Sequence, residues 1–544
     1  MDRLSRRDAL ILLAILGTGV FLAGLELMIT AVALPAIVTD LATWTRLREA
    51  SWIINGYLLV YIVTMPVAGR LADLYGARRL FLWSLVIFTL GSLLAGAAPT
   101  LELLIVARLV QAVGGGALVP VATSAASHLF TGVSRPRALG VVAALTFLGM
   151  AAGPVLGAAI LGALYPEAAL SRLGIEPSSA AYGLLAPAWR WVFYVNVPVG
   201  LMALVVAWAA SSGWETPRRS GRVDLPGALL FSAFLVGSLG ALTLIGSQAG
   251  AEDTGLDPAL ISLVLVIVAC VAGPVTILRG LRVSDPFLDP RLFRSASFSS
   301  AALVSLLTGY GFATAIVGAA VFVDRVLYGG PDEQRLALGA LAGATALGAL
   351  LSGFAVRILS LKVVTVVGLG MSIAGLAQMA GWTPGTTIES AALSLALFGG
   401  GFGLTVTPRS TAAVEAVKVE AYGIASSTVT VARMVGMAIG LAILTAYGST
   451  TIDRLYDQVY ATADAYLQFI PEALRDRPLR DGLVVEALEQ WAAGEAARIM
   501  VGVFLVAAVV TAVAIPPSLL LGRRRRMLAS DGAPEREPVP IPEP

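Results

Sequence analysis

The chain has 544 residues, of which 57% are hydrophobic and only 13% charged, with a formal net charge of +2. Soluble globular chains carry about 25% charged residues, so this composition excludes a soluble domain and implies a polytopic membrane protein. The single cysteine, Cys270, rules out an intrachain disulfide, and the single histidine, His128, argues against a histidine proton relay or metal site. There is no Gly-rich Lys-Ser/Thr phosphate loop and no Cys/His cluster, so no enzymatic activity, cofactor, metal or nucleic-acid partner is expected. The first apolar run is too long for a cleavable signal peptide and lacks a small-residue cleavage site, so it reads as a span.

In chain order, fourteen apolar runs are each about long enough to cross a bilayer as a helix: residues 9–38, 51–69, 80–98, 101–128, 138–165, 190–210, 226–246, 258–279, 297–325, 334–357, 363–382, 389–407, 422–448 and 498–521. With the N-terminus inside, the cytoplasmic segments collect 24 of the 37 basic residues, Arg409 among them, and the outer segments 11. That bias predicts a multi-pass plasma (inner) membrane protein with both termini cytoplasmic. The expected division is residues 1–210 as an N-terminal six-helix bundle and 211–296 as a linker with two extra spans. Residues 297–521 would be a C-terminal six-helix bundle with an outer extension at 448–498, and 522–544 a basic, Pro/Glu-rich tail at the anionic membrane surface.

One polar stretch, residues 69–79, separates the second and third spans. Gly69 and Gly76 permit tight turns, Arg70, Arg78 and Arg79 mark a cytoplasmic loop, and Asp73 is the lone carboxylate. The spacing Gly-x-Leu-Ala-Asp-x-x-Gly-x-Arg-Arg resembles the signature loop of the major facilitator superfamily. The resemblance implies an all-α major facilitator fold: two six-helix bundles plus two linker helices, 14 spans in all. It also implies that Asp73 sits against the start of the helix beginning near Gly423 and pairs with a loop arginine such as Arg78. Gly69, Asp73, Gly76 and Arg78 would then form a cytoplasmic gate.

Three charged residues fall within spans, Glu26, Arg108 and Arg433. A charge in a membrane helix is costly unless paired or wetted, so each is a functional candidate by default. Glu26 lies about 25 Å along the first helix and Arg433 about 16 Å from the start of its own, both near mid-bilayer, with Arg108 nearer the outer side. Glu26 either alternates between holding a proton and pairing with an arginine, or forms a permanent salt bridge. Arginine stays charged and cannot itself be the proton carrier.

Around these residues the likeness narrows. Leu25-Glu26 followed by Ala33-Leu34-Pro35 resembles the first-helix motif of the fourteen-helix drug:proton antiporter family, whose asparagine is missing at Ala31 or Val32. Arg108, Gln111 and Gly114 resemble the fourth-helix motif, which implies a role for Arg108 in proton coupling. Gly149, Gly153, Pro154 and Gly157 resemble the fifth-helix antiporter motif, where small residues allow close helix approach. Residues 189–198 and 423–440 resemble the family's sixth and penultimate helices. Tyr310, Phe312, Met150 and Phe147 are candidates to line an apolar substrate cavity, although aromatic and Met positions in spans more often serve packing.

Outer loops are short except for residues 447–498. There, apolar residues from Ile452 to Leu467 and from Leu483 to Ala496 recur at helical spacing, predicting two membrane helices that continue outward and join near Pro471 and Pro478. This extension and the stretch from Tyr422 to Met437 resemble the mycobacterial triacylglyceride exporter branch. The reading is a proton-coupled exporter of a lipidic or lipophilic substrate, with membrane lipids and protons as partners and, by analogy, an outer lipid-carrier protein. The alternatives are a multidrug:proton antiporter and a non-transporting receptor or anchor.

Overall fold

The computed structural model describes residues 6–41, 50, 52–132, 134–210, 216, 224–246, 258–284, 286–460, 465–477 and 481–522. The tail from 523 onward, most of the basic linker before Asp224, and the side chains expected to line the outer run from Ile452 to Tyr460 lie outside the described residues. Hydrocarbon offers no hydrogen-bond partner, so each apolar run satisfies its backbone as a helix. Thirteen helices among the described residues are long and apolar enough to cross a membrane. Leu225–Gly246 completes the expected fourteen.

The first half comprises α1 (Arg6–Leu41), α2 (Trp52–Tyr75), α3 (Ala77–Ala97), α4 (Leu101–Leu129) and α5 (Ser134–Ala163), then short α6 (Pro166–Arg172) and α7 (Ala180–Leu185). Its sixth span is formed by α8 (Arg190–Tyr194) and α9 (Asn196–Ala209). A hairpin of α10 (Leu225–Gly246) and α11 (Pro258–Arg282) follows. The second half comprises α12 (Ala296–Arg325), α13 (Pro331–Ile358), α14 (Leu361–Met379), α15 (Ile388–Glu415), α16 (Tyr422–Tyr460) and α17 (Gly482–Ala512), with a last turn, α18 (Ile515–Ser518).

Within the first half α1 lies on α5, and α4 is wrapped by α2 and α3. The second half repeats the scheme, with α15 between α13 and α14, and α12 against α16 and α17. The halves meet along two seams, α2 with α16 and α5 with α13, and α10 leans on α2 and α16 beside the first seam. Asp224 ties the linker hairpin together, accepting from Arg279 Nη2 at 2.7 Å and from the N–H groups of Gly227 (3.1 Å) and Phe287 (3.2 Å). Burial pushes its carboxyl up, but these bonds and the Arg279 charge outweigh that and hold it below the usual aspartate range.

Helix α16 has 39 residues, about 58 Å, against the roughly 30 Å of a bilayer core. It therefore runs well beyond the membrane at the face opposite residues 69–79, and α17, with 31 residues, returns against α12 and α14. The Phe469 ring lies tilted 4.3 Å from Trp491, and the Tyr328 hydroxyl donates to the Glu489 carbonyl at 3.0 Å, which fastens the projecting part to the end of α12.

The α1–α5 contact depends on missing side chains. A Cβ on Gly149 would lie 2.9 Å from Leu25 N, and one on Gly153 would lie 2.9 Å from Ile29 N. On Gly157 it would meet Ile29 Cγ1 at 3.2 Å. Gly149→Val is expected to lower the melting temperature of the purified protein in detergent, at an overpacking cost of about 1–3 kcal/mol. Gly162→Val, at a position with nothing within 4 Å of the added Cβ, should leave it unchanged. Equal melting of the two variants would show that α1 and α5 do not need this approach.

Candidate functional site

The site begins at Glu26, which is 0% exposed. Its Oε1 is ion-paired with Arg108 Nη1 and accepts from Thr30 Oγ1 at 3.0 Å, while Oε2 accepts from Asn196 Nδ2 at 2.7 Å. Arg108 is 1% exposed and has further partners: Nη1 donates to Gln111 Oε1 at 2.7 Å and Nε to the Ile53 carbonyl at 3.3 Å. Its guanidinium also sits 4.0 Å over the Tyr57 ring. Gln111 Nε2 donates to Ser92 Oγ at 2.9 Å, and Ser92 donates to the Phe193 carbonyl at 3.1 Å. Five spans of the first half thus converge on one carboxylate.

This assignment separates the three in-span charges. Glu26 and Arg108 lie at one level, next to Ile53 at the start of α2, so the pair sits nearer the face opposite residues 69–79 than mid-bilayer. Their different expected depths do not hold, because the 36-residue α1 is much longer than a bilayer crossing. Arg433 does not join the pair: it stands between the halves, with its Cζ 5.4 Å over the Phe147 ring. Thr30, one turn after Glu26, and Asn196, 170 residues away, supply the polar partners absent at Ala31 and Val32. The i,i+4 spacing could have revealed Thr30; no local signal points to Asn196.

At the other face, Asp73 links the halves. Its Oδ1 accepts from Gly423 N at 2.6 Å and its Oδ2 from Ile424 N at 2.9 Å. These N–H groups are left unbonded by the first turn of α16, where the helix dipole also favours negative charge. A Cβ on Gly69 would lie 2.5 Å from the Gly423 carbonyl, so the bare glycine sets this approach. Gly76 caps the start of α3 with φ of 91°, a left-handed value that favours glycine. Arg78 makes no ion pair with Asp73; its Nε is buried with no hydrogen-bond partner. Asp73 is satisfied by the backbone of α16, not by that side chain.

Between the halves lies an aromatic seam. Phe147 of α5 meets Phe312 at 5.6 Å and Phe402 at 5.7 Å, edge to face, and Phe312 stacks on Phe402 at 4.3 Å. Met150 and Tyr310 belong to the same extended buried cluster as this pair, and Phe312 also stacks near Phe398; of the four candidate cavity residues, Phe147 and Phe312 are in direct contact. Arg409 is a correction: expected among the cytoplasmic residues, it lies inside α15 and is 2% exposed. Its Nη1 bonds Thr308, its Nε donates to the Thr405 carbonyl at 2.9 Å, and its Cζ lies 5.4 Å over Phe402. Placing the span's end at 407 misassigned it, since α15 continues to Glu415.

Two facing helical halves, latched at one face and holding a compensated charge inside one of them, define a multi-pass membrane transporter. Residues 16–441 match the family described as Major Facilitator Superfamily, and the chain belongs to that superfamily. It is 30% identical over 466 residues to a triacylglyceride transporter of Mycolicibacterium hassiacum, covering 83% of this chain and 82% of the relative. It is also 30% identical over 450 residues to a multidrug resistance protein B homolog of Mycobacterium tuberculosis, covering 81% and 76%. The fold resembles that of a human organic anion transporter, with TM-score 0.58 and 13% identity over 92% of this chain and 99% of that one. It also resembles a bacterial homolog of the human lysosomal transporter Spinster, with TM-score 0.57 and 17% identity over 95% and 98%. Membership in a transporter family removes the reading as a non-transporting receptor or anchor.

Removing one partner of a buried ion pair leaves an uncompensated charge, typically at a cost of about 3–5 kcal/mol. Arg108→Met is therefore expected to lower the melting temperature strongly, and Glu26→Gln introduced into that variant to recover much of the loss. A double variant no more stable than Arg108→Met would show that the arginine is needed for packing and not for Glu26.

Proposed function

We propose that the chain is a proton-coupled exporter that moves a lipidic or lipophilic substrate out of the plasma membrane by alternating access. The observation that carries the reading is Glu26, a desolvated carboxylate held by Arg108 and Asn196, which both keep other partners. If Glu26 takes a proton, its attraction for Arg108 falls, and Arg108 retains Gln111 Oε1 and the Ile53 carbonyl. Asn196 Oδ1 is buried with no donor, a spare acceptor for the proton of a neutral carboxyl. Charging and discharging Glu26 thus rearranges bonds among α1, α2, α4 and α9: Arg108 keeps hydrogen-bond partners but loses its counter-charge, which favours a shift in the packing of these helices.

In this reading the face carrying residues 69–79 is cytoplasmic, as the basic bias of its segments supports, and the Asp73 latch closes that side. Rocking of the halves would break the two bonds to α16 and open the Phe147 seam toward the cytoplasm. The projecting ends of α16 and α17 would then guide a lipid leaving the outer leaflet towards an outer lipid-carrier protein. The likeness to the mycobacterial triacylglyceride transporter supports a lipid cargo. The equal likeness to the multidrug resistance homolog supports a second reading, a drug:proton antiporter.

The test is gradient-driven loss of a fluorescent triacylglyceride and of a cationic dye from proteoliposomes, with wild type and Glu26→Gln. Lipid loss that needs the gradient and falls at least about tenfold in the variant is expected, the size set by one titrating group. Dye movement alone would select the drug antiporter. Equal gradient dependence in Glu26→Gln would remove Glu26 as the coupling site.

A further inference from the structure

The second half holds two arginines well inside its spans, Arg409 and Arg433, and among the described residues neither has a carboxylate partner. Arg433 and Arg409 approach the same ring cluster from different helices, over Phe147 and Phe402, whose centroids are 5.7 Å apart. They are near enough to repel each other electrostatically. Thr308 and the Thr405 carbonyl bond to Arg409 but neutralise nothing. Arg433 stands about 16 Å into α16, between the halves, and is partly exposed. Its Nε is buried with no hydrogen-bond partner, and so is the hydroxyl of Tyr61, which interacts electrostatically with Arg433 from across the seam. Two like charges side by side, one buried and one half-buried with its Nε unspent, are costly, and the compensation this geometry lacks is an anion.

We propose that Arg433, Arg409 and the Tyr61 hydroxyl form a headgroup site for an anionic amphiphile, with the Phe147–Phe312–Phe402 cluster beginning the surface for its acyl chains. The ligand chemistry is a carboxylate or phosphate oxyanion on a lipid tail. A forked guanidinium suits either oxyanion, and a phenol adds one directed donor. This deepens the export reading and rests on it for the seam being the substrate path; it adds acidic lipids to the neutral lipid of that reading as cargo, and disfavours cationic compounds. Glu26 does not compete with the site, because its charge is already matched by Arg108.

The test is equilibrium binding to the purified full-length protein in detergent, without a pH gradient. The probes share one fluorescent acyl chain and differ in the head: free fatty acid, its methyl ester, phosphatidic acid, and a trimethylammonium analogue. The fatty acid or phosphatidic acid is expected to bind at least about tenfold tighter than the ester, the scale of a charge-assisted bond, with the ammonium weakest. The tighter of the two acids identifies the source as a carboxylate or a phosphate. Arg433→Gln should abolish the preference for acid over ester while leaving ester binding within about twofold. Arg409 is more deeply packed, so Tyr61→Phe serves as the second variant, with acid binding expected to fall about threefold and ester binding to stay. Equal binding of acid and ester by wild type, or unchanged acid preference in Arg433→Gln, overturns the site. If export fails to depend on Glu26 while the acid preference and its loss in Arg433→Gln persist, the coupling is wrong and the anion site stands.

Discussion

A carboxylate with no solvent exposure must be matched where it sits, and the first half of this transporter is built around that requirement at Glu26. Each helix that supplies a partner is held in register by it: α4 through Arg108 and Gln111, α9 through Asn196, α3 through Ser92, α2 through the Ile53 carbonyl. The glycine face of α5 closes on the neighbouring face of α1, at Leu25 and Ile29, leaving the Glu26 face to the polar partners. A network in low dielectric is strong when complete and costly when broken, so the half behaves as one unit.

The second half answers the same environment differently. It has no buried acid among the described residues, and its helices are joined by hydroxyls and rings, as in the Ser352–Thr407 bond of 2.6 Å and the Phe312–Phe402 stack. One half therefore holds a neutralised charge and the other holds cations without counter-charge. Among the described residues the contacts between them are reversible in kind: two N–H bonds to Asp73, a Ser426–Pro120 bond, close glycine contacts such as Gly140 with Gly353, and aromatic seams. Stiff halves joined by breakable contacts suit a rocking mechanism better than local unfolding would.

Much of this was legible in the chain. Apolar runs of bilayer length, separated by polar breaks, led to the helices. The spacing around Asp73 and the glycines of α5 led to the superfamily, since those motifs act through local backbone geometry. A charge inside an apolar run is conspicuous for the same reason, and Glu26, Arg108 and Arg433 stood out. Arg409 did not, because it lies near the end of an apolar run and only the true length of α15 places it indoors.

What the sequence determined by itself was therefore what depends on neighbours along the chain: helix formation, span number, the positions of buried charges and the close-approach glycines. Pairing was decided by the tertiary structure. Glu26 chose Arg108 over Arg433, Asn196 completed the acid from 170 residues away, and Asp73 was satisfied by the backbone of α16 and not by Arg78. Helix periodicity says which face a side chain occupies, but not which helix will stand opposite it. A hydrogen bond or ion pair needs its groups within about 3 Å, and only the packing of the halves sets that distance.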